Sequence, residues 1–171
     1  KLSELDQSRG EEITRLVNEV GKCGVSPLLL MCRLGSVEAV RALLKAGAQD
    51  NYAKTHHGIS PLLVAAEEGH VGVMTLLEST TDARLDLRYS PHDKGVTALH
   101  LAAANGHTAA VEHVLEQALI AAKDNSIQPM VDAPDDDGYT ALMHASENGW
   151  EEVVGVLLAK KASVAAPTGG K

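Results

Sequence analysis

Gly95 to His107 reads GVTALHLAAANGH, and this stretch decides the fold. It holds a start signal, a short apolar helix and a stop signal. Thr97 is a good helix N-cap, because its hydroxyl accepts an orphan backbone N–H of the first turn. Leu99, Ala102 and Ala103 then share one helical face at i, i+3 and i+4. Gly106 stands where a left-handed C-terminal cap is cheap for glycine. A helix this short is unstable alone and must bury its apolar face against a neighbour.

The neighbours are copies of the same grammar. GVSPLLLMCRLG starts at Gly24, GISPLLVAAEEG at Gly58, GVTALHLAAANG at Gly95 and GYTALMHASENG at Gly138. Each copy closes on a second glycine: Gly35, Gly69, Gly106 and Gly149. Each has Ser or Thr at the cap, namely Ser26, Ser60, Thr97 and Thr140. Pro27 and Pro61 follow two of the caps, at a position where the missing N–H is harmless.

On these residues the chain resembles the ankyrin repeat, with its G-x-T-P-L-H-x-A-A motif, its G-H and a second apolar helix. The resemblance runs from about Gly24 to Val164. It implies an all-α ankyrin-repeat solenoid, made of stacked helix-turn-helix units with β-hairpin or loop fingers. Residues 1–23 are expected to form N-terminal capping helices, a degenerate repeat. The repeats follow at 24–57, 58–94, 95–137 and 138–166, with 167–171 a disordered tail or truncated finger. Lys1 in place of a starting Met, and the finger-like Thr168 to Lys171, suggest a chain cut from a longer protein.

Composition agrees. Hydrophobic residues make up 44% of the chain, yet it has no Phe, one Trp and three Tyr. Thin stacked helix pairs can fill their contacts with Ala, Leu and Val instead of aromatic bulk. The formal charge of −8 argues against a nucleic-acid surface and against adhesion to anionic membrane. The run Pro27 to Cys32 is too short to span a bilayer, so no membrane insertion is expected. No signal peptide is visible, and Cys23 and Cys32 make no disulfide framework. Cys32 takes the place of a small inward Ala and reads as a buried thiol. Cytoplasm or nucleus is the expected compartment, and a monomer the expected state.

Three stretches depart from the repeat. In residues 2–20, Ile13, Leu16, Val17 and Val20 form an apolar stripe, and Ser8, Arg9 and Gly10 allow a break into two helices. The link Thr80 to Lys94 alternates Leu85, Leu87 and Tyr89 with polar residues, as an extended finger would. Gly95 and Gly138 are 43 residues apart, against about 33 in a plain repeat. The surplus predicts a second helix reaching about Lys123, then a loop from Asp124 to Pro129.

Chemistry is sparse. The resemblance gives His100 a structural role, hydrogen-bonding finger backbone, and His70 and His107 match its G-H. His56 and His57 sit at a finger tip, where adjacent side chains point apart and share a metal poorly. Asp135, Asp136 and Asp137 lack the calcium-loop grammar and favour a turn. No phosphate loop, dinucleotide fingerprint or nucleophile elbow occurs. Neither an enzyme nor a cofactor is expected.

What remains is surface. The resemblance implies a non-catalytic protein-interaction module that binds on the concave face of fingers and first helices. Carried over residue by residue, that face holds Ile59, Val96 and Tyr139 after the first glycines. Glu67, Glu68, Ala104, Asn105, Glu147 and Asn148 stand before the second glycines, and Arg33 and Leu34 in the first repeat. Trp150 replaces the usual His beside it, either as an exposed anchor or as packing between helices. His56 and His57 complete the candidate set. The expected partner is a protein offering apolar groups flanked by Lys or Arg. The alternative is a regulatory or targeting segment of a larger enzyme or channel.

Overall fold

In the computed structural model, the described residues are 2–21, 24–49, 60–80, 95–122 and 127–165. Ten helices follow in chain order among them. They are α1 (Leu2–Val17), α2 (Pro27–Arg33), α3 (Val37–Lys45), α4 (Pro61–Glu67), α5 (Val71–Thr80), α6 (Ala98–Ala104), α7 (Thr108–Ala121), α8 (Gln128–Val131), α9 (Ala141–Glu147) and α10 (Glu151–Ala159). No strand occurs among the described residues. The finger stretches 50–59 and 81–94 lie outside them, so the expected hairpins there are not described.

The helices form two layers. α2, α4, α6 and α9 stack side by side, and each packs on the outer helix that follows it, α3, α5, α7 or α10. The cause is local. The hydroxyls of Ser26, Ser60, Thr97 and Thr140 accept from the backbone N–H three residues on, starting each inner helix. Gly35, Gly69, Gly106 and Gly149 then turn the chain with φ between 70° and 75°, where a Cβ is strained. The core between the layers is aliphatic: Leu28, Leu63, Leu99 and Leu157 are almost wholly buried, with Ala65, Ala102, Ala103 and Cys32. At about 25 cal/mol per Å², such burial is the main term holding one repeat to the next.

A row of rings crosses the stack. His70, His107 and Trp150 stand just before α5, α7 and α10. His107 and Trp150 do not cap their own helices. Each ring instead covers the turn glycine of the repeat before it. A Cβ on Gly35 or Gly69 would come within 2.7 Å of the His70 or His107 ring, and one on Gly106 would enter the Trp150 ring. Two of the rings also reach a carbonyl two residues before that glycine. His70 Nε2 donates to the Arg33 carbonyl at 3.0 Å, and Trp150 Nε1 to the Ala104 carbonyl at 2.8 Å. In the first repeat the corresponding residue is Ser36, which caps its own helix through Ala39 N–H. Trp150 is therefore a packing ring that keeps one edge in solvent.

Two expectations are corrected. The N-terminal segment is one helix through Ser8, Arg9 and Gly10, not a pair. Its stripe docks only in part: Ile13 and Leu16 are each half exposed, while Val17 packs against the core. α1 meets the stack through Thr14, Val17 and Asn18, a sector one residue round. Asn18 decides this, because its amide donates to the Gly47 carbonyl at 2.8 Å and accepts from Gln49 N–H at 2.7 Å. Those groups end α3 and need partners. The second correction is in the long insertion. α7 stops at Ala121, and Pro129, placed in the expected loop, lies in the first turn of α8. That turn buries Val131 and seats Gln128 and Asp132 against the end of α10.

Candidate partner-binding face

The inner helices and the finger 133–140 carry the described residues of the candidate face. The finger is built by Asp135. Its Oδ1 accepts from Asp137 N–H at 3.0 Å and Tyr139 N–H at 2.8 Å, and its backbone N–H donates to the Tyr139 carbonyl at 2.8 Å. Its Oδ2 accepts from His144 Nε2 at 2.9 Å. Burial pushes the Asp135 carboxyl up, but the hydrogen bonds from His144 and Tyr139, with the nearby imidazoles, outweigh it and leave the group below its ordinary value. Tyr139 then lies tilted over the His144 ring at 5.3 Å and keeps 41% of its surface exposed.

His100 ties this finger to the third repeat. Its Nδ1 accepts from Thr97 N–H at 3.2 Å, so Nε2 carries the proton and faces the Ala133 and Tyr139 carbonyls at 3.0 and 3.2 Å. Burial, then the His144 ring, lowers its pKa, which favours the neutral tautomer these bonds need. The role the resemblance implied for His100 is the one seen.

The sequence-predicted residues fall as follows. Glu68, Asn105, Tyr139, Glu147, Asn148 and Trp150 are exposed, and Glu67, Val96 and Ala104 are half-buried. Ile59, His56 and His57 lie outside the described residues. The acidic row is less acidic than its sequence suggests, because Arg33 Nε stands 3.8 Å from Glu68 Oε1 on the exposed surface. Asn105 and Asn148 donate back to Leu101 and His144 carbonyls on their own helices.

Sequence reasoning missed two groups. The first is Leu30 on α2, 45% exposed, which joins Leu34, already placed on the face and 64% exposed, in making the first-repeat end of the face apolar. Their i, i+4 spacing next to buried Leu28 and Leu29 was the available signal. The other group is His144 with Asp135. A carboxylate behind an imidazole is half of an acid–base constellation, but here Oδ1 is spent on the finger turn and Oδ2 on His144, so the pair ties the finger to α9. Among the described residues no group of three or more His, Cys, Asp or Glu is gathered for a metal ion. Among them, too, no helix is long and apolar enough to cross a membrane.

Stacked helix pairs, glycine turns and an imidazole bridging to the next finger define a repeat protein of the ankyrin class. The chain belongs to the ankyrin repeat family: the family described as Ankyrin repeats (3 copies) matches residues 6–89 and 81–168. It is similar to the human transient receptor potential cation channel subfamily A member 1, 32% identical over 149 residues, covering 86% of this chain and 12% of the channel. It is similar also to the E3 ubiquitin-protein ligase XBAT33 of Arabidopsis thaliana, 32% identical over 160 residues, with 84% of this chain and 30% of the ligase covered. Human ankyrin repeat domain-containing protein 63 is 37% identical over 97 residues, with 56% and 25% covered. The chain thus spans less than a third of the length of each of these relatives.

Proposed function

We propose that the chain is a non-catalytic module that holds a protein partner on the face formed by α2, α4, α6, α9 and the finger tips. The observation that carries this reading is the exposed apolar set on that face. Leu30 and Leu34 lie at one end and Tyr139 near the other. Single exposed apolar residues need no explanation, but Leu30 and Leu34, close together at the end of α2, favour a docking use of this side. Glu67 and Glu147 flank it, so the complementary partner presents aliphatic or aromatic side chains with Lys or Arg between them.

The experiment is a peptide-display selection against the whole chain, followed by titration of the selected peptide. Tyr139→Ala and Glu67→Lys are each expected to weaken binding by about tenfold or more. Unchanged affinity in both variants overturns the assignment of the face, while leaving the fold intact.

A second reading is favoured by the relatives. One is a cation channel and one a ubiquitin ligase, and both are several times longer than the match. On that reading the module targets or regulates a larger protein of which it is a part. The flanking open reading frame decides it. Stop and start codons directly outside residues 1–171 would exclude it.

A further inference from the structure

One side chain on the candidate face breaks the pattern of its row. The residue four places after the cap is Leu30, Val64 and Leu101 in the first three repeats, and His144 in the fourth. Helices α2, α4 and α6 form with an aliphatic residue there, so the repeat itself does not call for an imidazole. The chemistry of this one is set from behind. Its Nε2 lies 2.9 Å from Asp135 Oδ2, and the Asp135 side chain is only 5% exposed. An ionised carboxylate can only accept, so Nε2 carries the proton, and in the neutral ring Nδ1 keeps its lone pair. Among the described residues no donor bonds to that Nδ1; Asn148 reaches the His144 carbonyl instead. The side chain is 25% exposed, on the side where Tyr139 stands.

The surroundings favour a planar cation as the missing donor. The Tyr139 ring lies 5.3 Å from the imidazole, tilted by 33°, and stays well exposed. Glu147 is exposed three residues further along α9, so it shares the His144 side of the helix. Asp136 adds an exposed carboxylate on the finger. An aromatic face, an acceptor nitrogen and a carboxylate together suit a guanidinium, which stacks on rings and holds its N–H donors in a fixed fork. An ammonium has the charge but neither the flat face nor the fork.

We infer that His144 is the polar anchor of the candidate face: its Nδ1 accepts an N–H from an arginine of the partner, whose guanidinium lies against Tyr139 and toward Glu147. The inference rests on the partner-binding reading above and names the group met at the fourth repeat. Asp135 is the positioning residue, because it fixes which imidazole nitrogen is left to accept.

The test uses the whole chain at about pH 8, above the ordinary imidazole range, with the peptides obtained by display selection. These are expected to share an arginine, and its replacement by lysine or citrulline should weaken binding about tenfold. His144→Leu, which installs the residue that Leu30 and Leu101 show the place accepts, should cost a similar factor. Asp135→Asn keeps an oxygen on the finger turn but turns a donating amide to Nε2, so the proton moves to Nδ1 and the acceptor is lost. It should weaken the same peptide about as much, and its effect should not add to that of His144→Leu. In nitrogen NMR of the histidine-labelled chain, His144 Nδ1 should shift when the peptide binds, and should be protonated in Asp135→Asn. Selected peptides without arginine, or lysine in its place at no loss, overturn the inference. So does an unmoved Nδ1 signal at saturation, however the variants fold. Full affinity in His144→Leu beside weakened binding in Tyr139→Ala and Glu67→Lys overturns it while the face stands; full affinity in all three overturns both.

Discussion

The junction between the third and fourth repeats and the far side of the fourth repeat are built from the same parts and differ in what meets them. At the junction, Trp150 lies over Gly106, Asp136 lies against Gly95, and His100 bonds the finger. On the far side, Gly149 and Gly138 meet nothing described, and Met143 replaces the histidine. The difference teaches that these glycines are required by a neighbour as much as by their own turn. Gly106 and Gly149 make the same turn with a φ near 75°, but of these two only Gly106 lies under a described ring that forbids a side chain.

The hardest way to break the interior is to charge it. Leu99 is wholly buried between the layers, so Leu99→Asp places a carboxylate where nothing answers it. A loss of about 4 kcal/mol or more is expected, read as the disappearance of a cooperative urea transition. Native-like unfolding of that variant would show the inner face to be misassigned.

The comparison itself is sharpened by a pair of glycine variants. Gly149→Ala in the chain as it stands is expected to lose about 1–2 kcal/mol, the strain of a left-handed Cβ. Gly106→Ala carries the same strain and must also move the Trp150 ring and its bond to Ala104, so about 3 kcal/mol or more is expected. Equal losses in denaturant midpoint would erase the distinction between the two sites.

The smallest effect is that of pH, and it is expected at the junction, through His100 and Asp135. The unfolded chain takes up a proton at His100 near pH 6.5, while burial makes the folded chain resist it until a lower pH. Unfolding therefore binds protons, and stability is complete above 6.5 and declines below it. Asp135 is depressed from 3.8, so its contribution holds above that pH and is lost as pH falls further. Urea midpoints at pH 7.5 and 5.5 should differ, and His100→Gln should shrink the difference. A drop of the same size in the variant would place the titration elsewhere.

The stack was readable because its determinants are local. Cap, apolar i, i+3, i+4 set and turn glycine lie within twelve residues, so each copy announces itself. The turn at Pro129 was misjudged, because Gln128 and Asp132 answer to the end of α10, far away in sequence. The α1 stripe misled for a related reason, since the open backbone at Gly47 and Gln49 outweighed two leucine-class contacts. On the candidate face the pairs before the turn glycines were legible from alignment with the repeat. The exposure of Leu30, the neutralising of Glu68 by Arg33 and the Asp135–His144 bond depend on packing between repeats, which a linear pattern does not carry.

The chain has a single tryptophan, and its indole is anchored on one inter-repeat seam through the Ala104 carbonyl. Its emission is consequently a local optical gauge of that seam, whereas far-ultraviolet dichroism averages over every helix. Where the two signals lose coincidence along a denaturant series, the array is coming apart unit by unit, and the order of their departure says from which side.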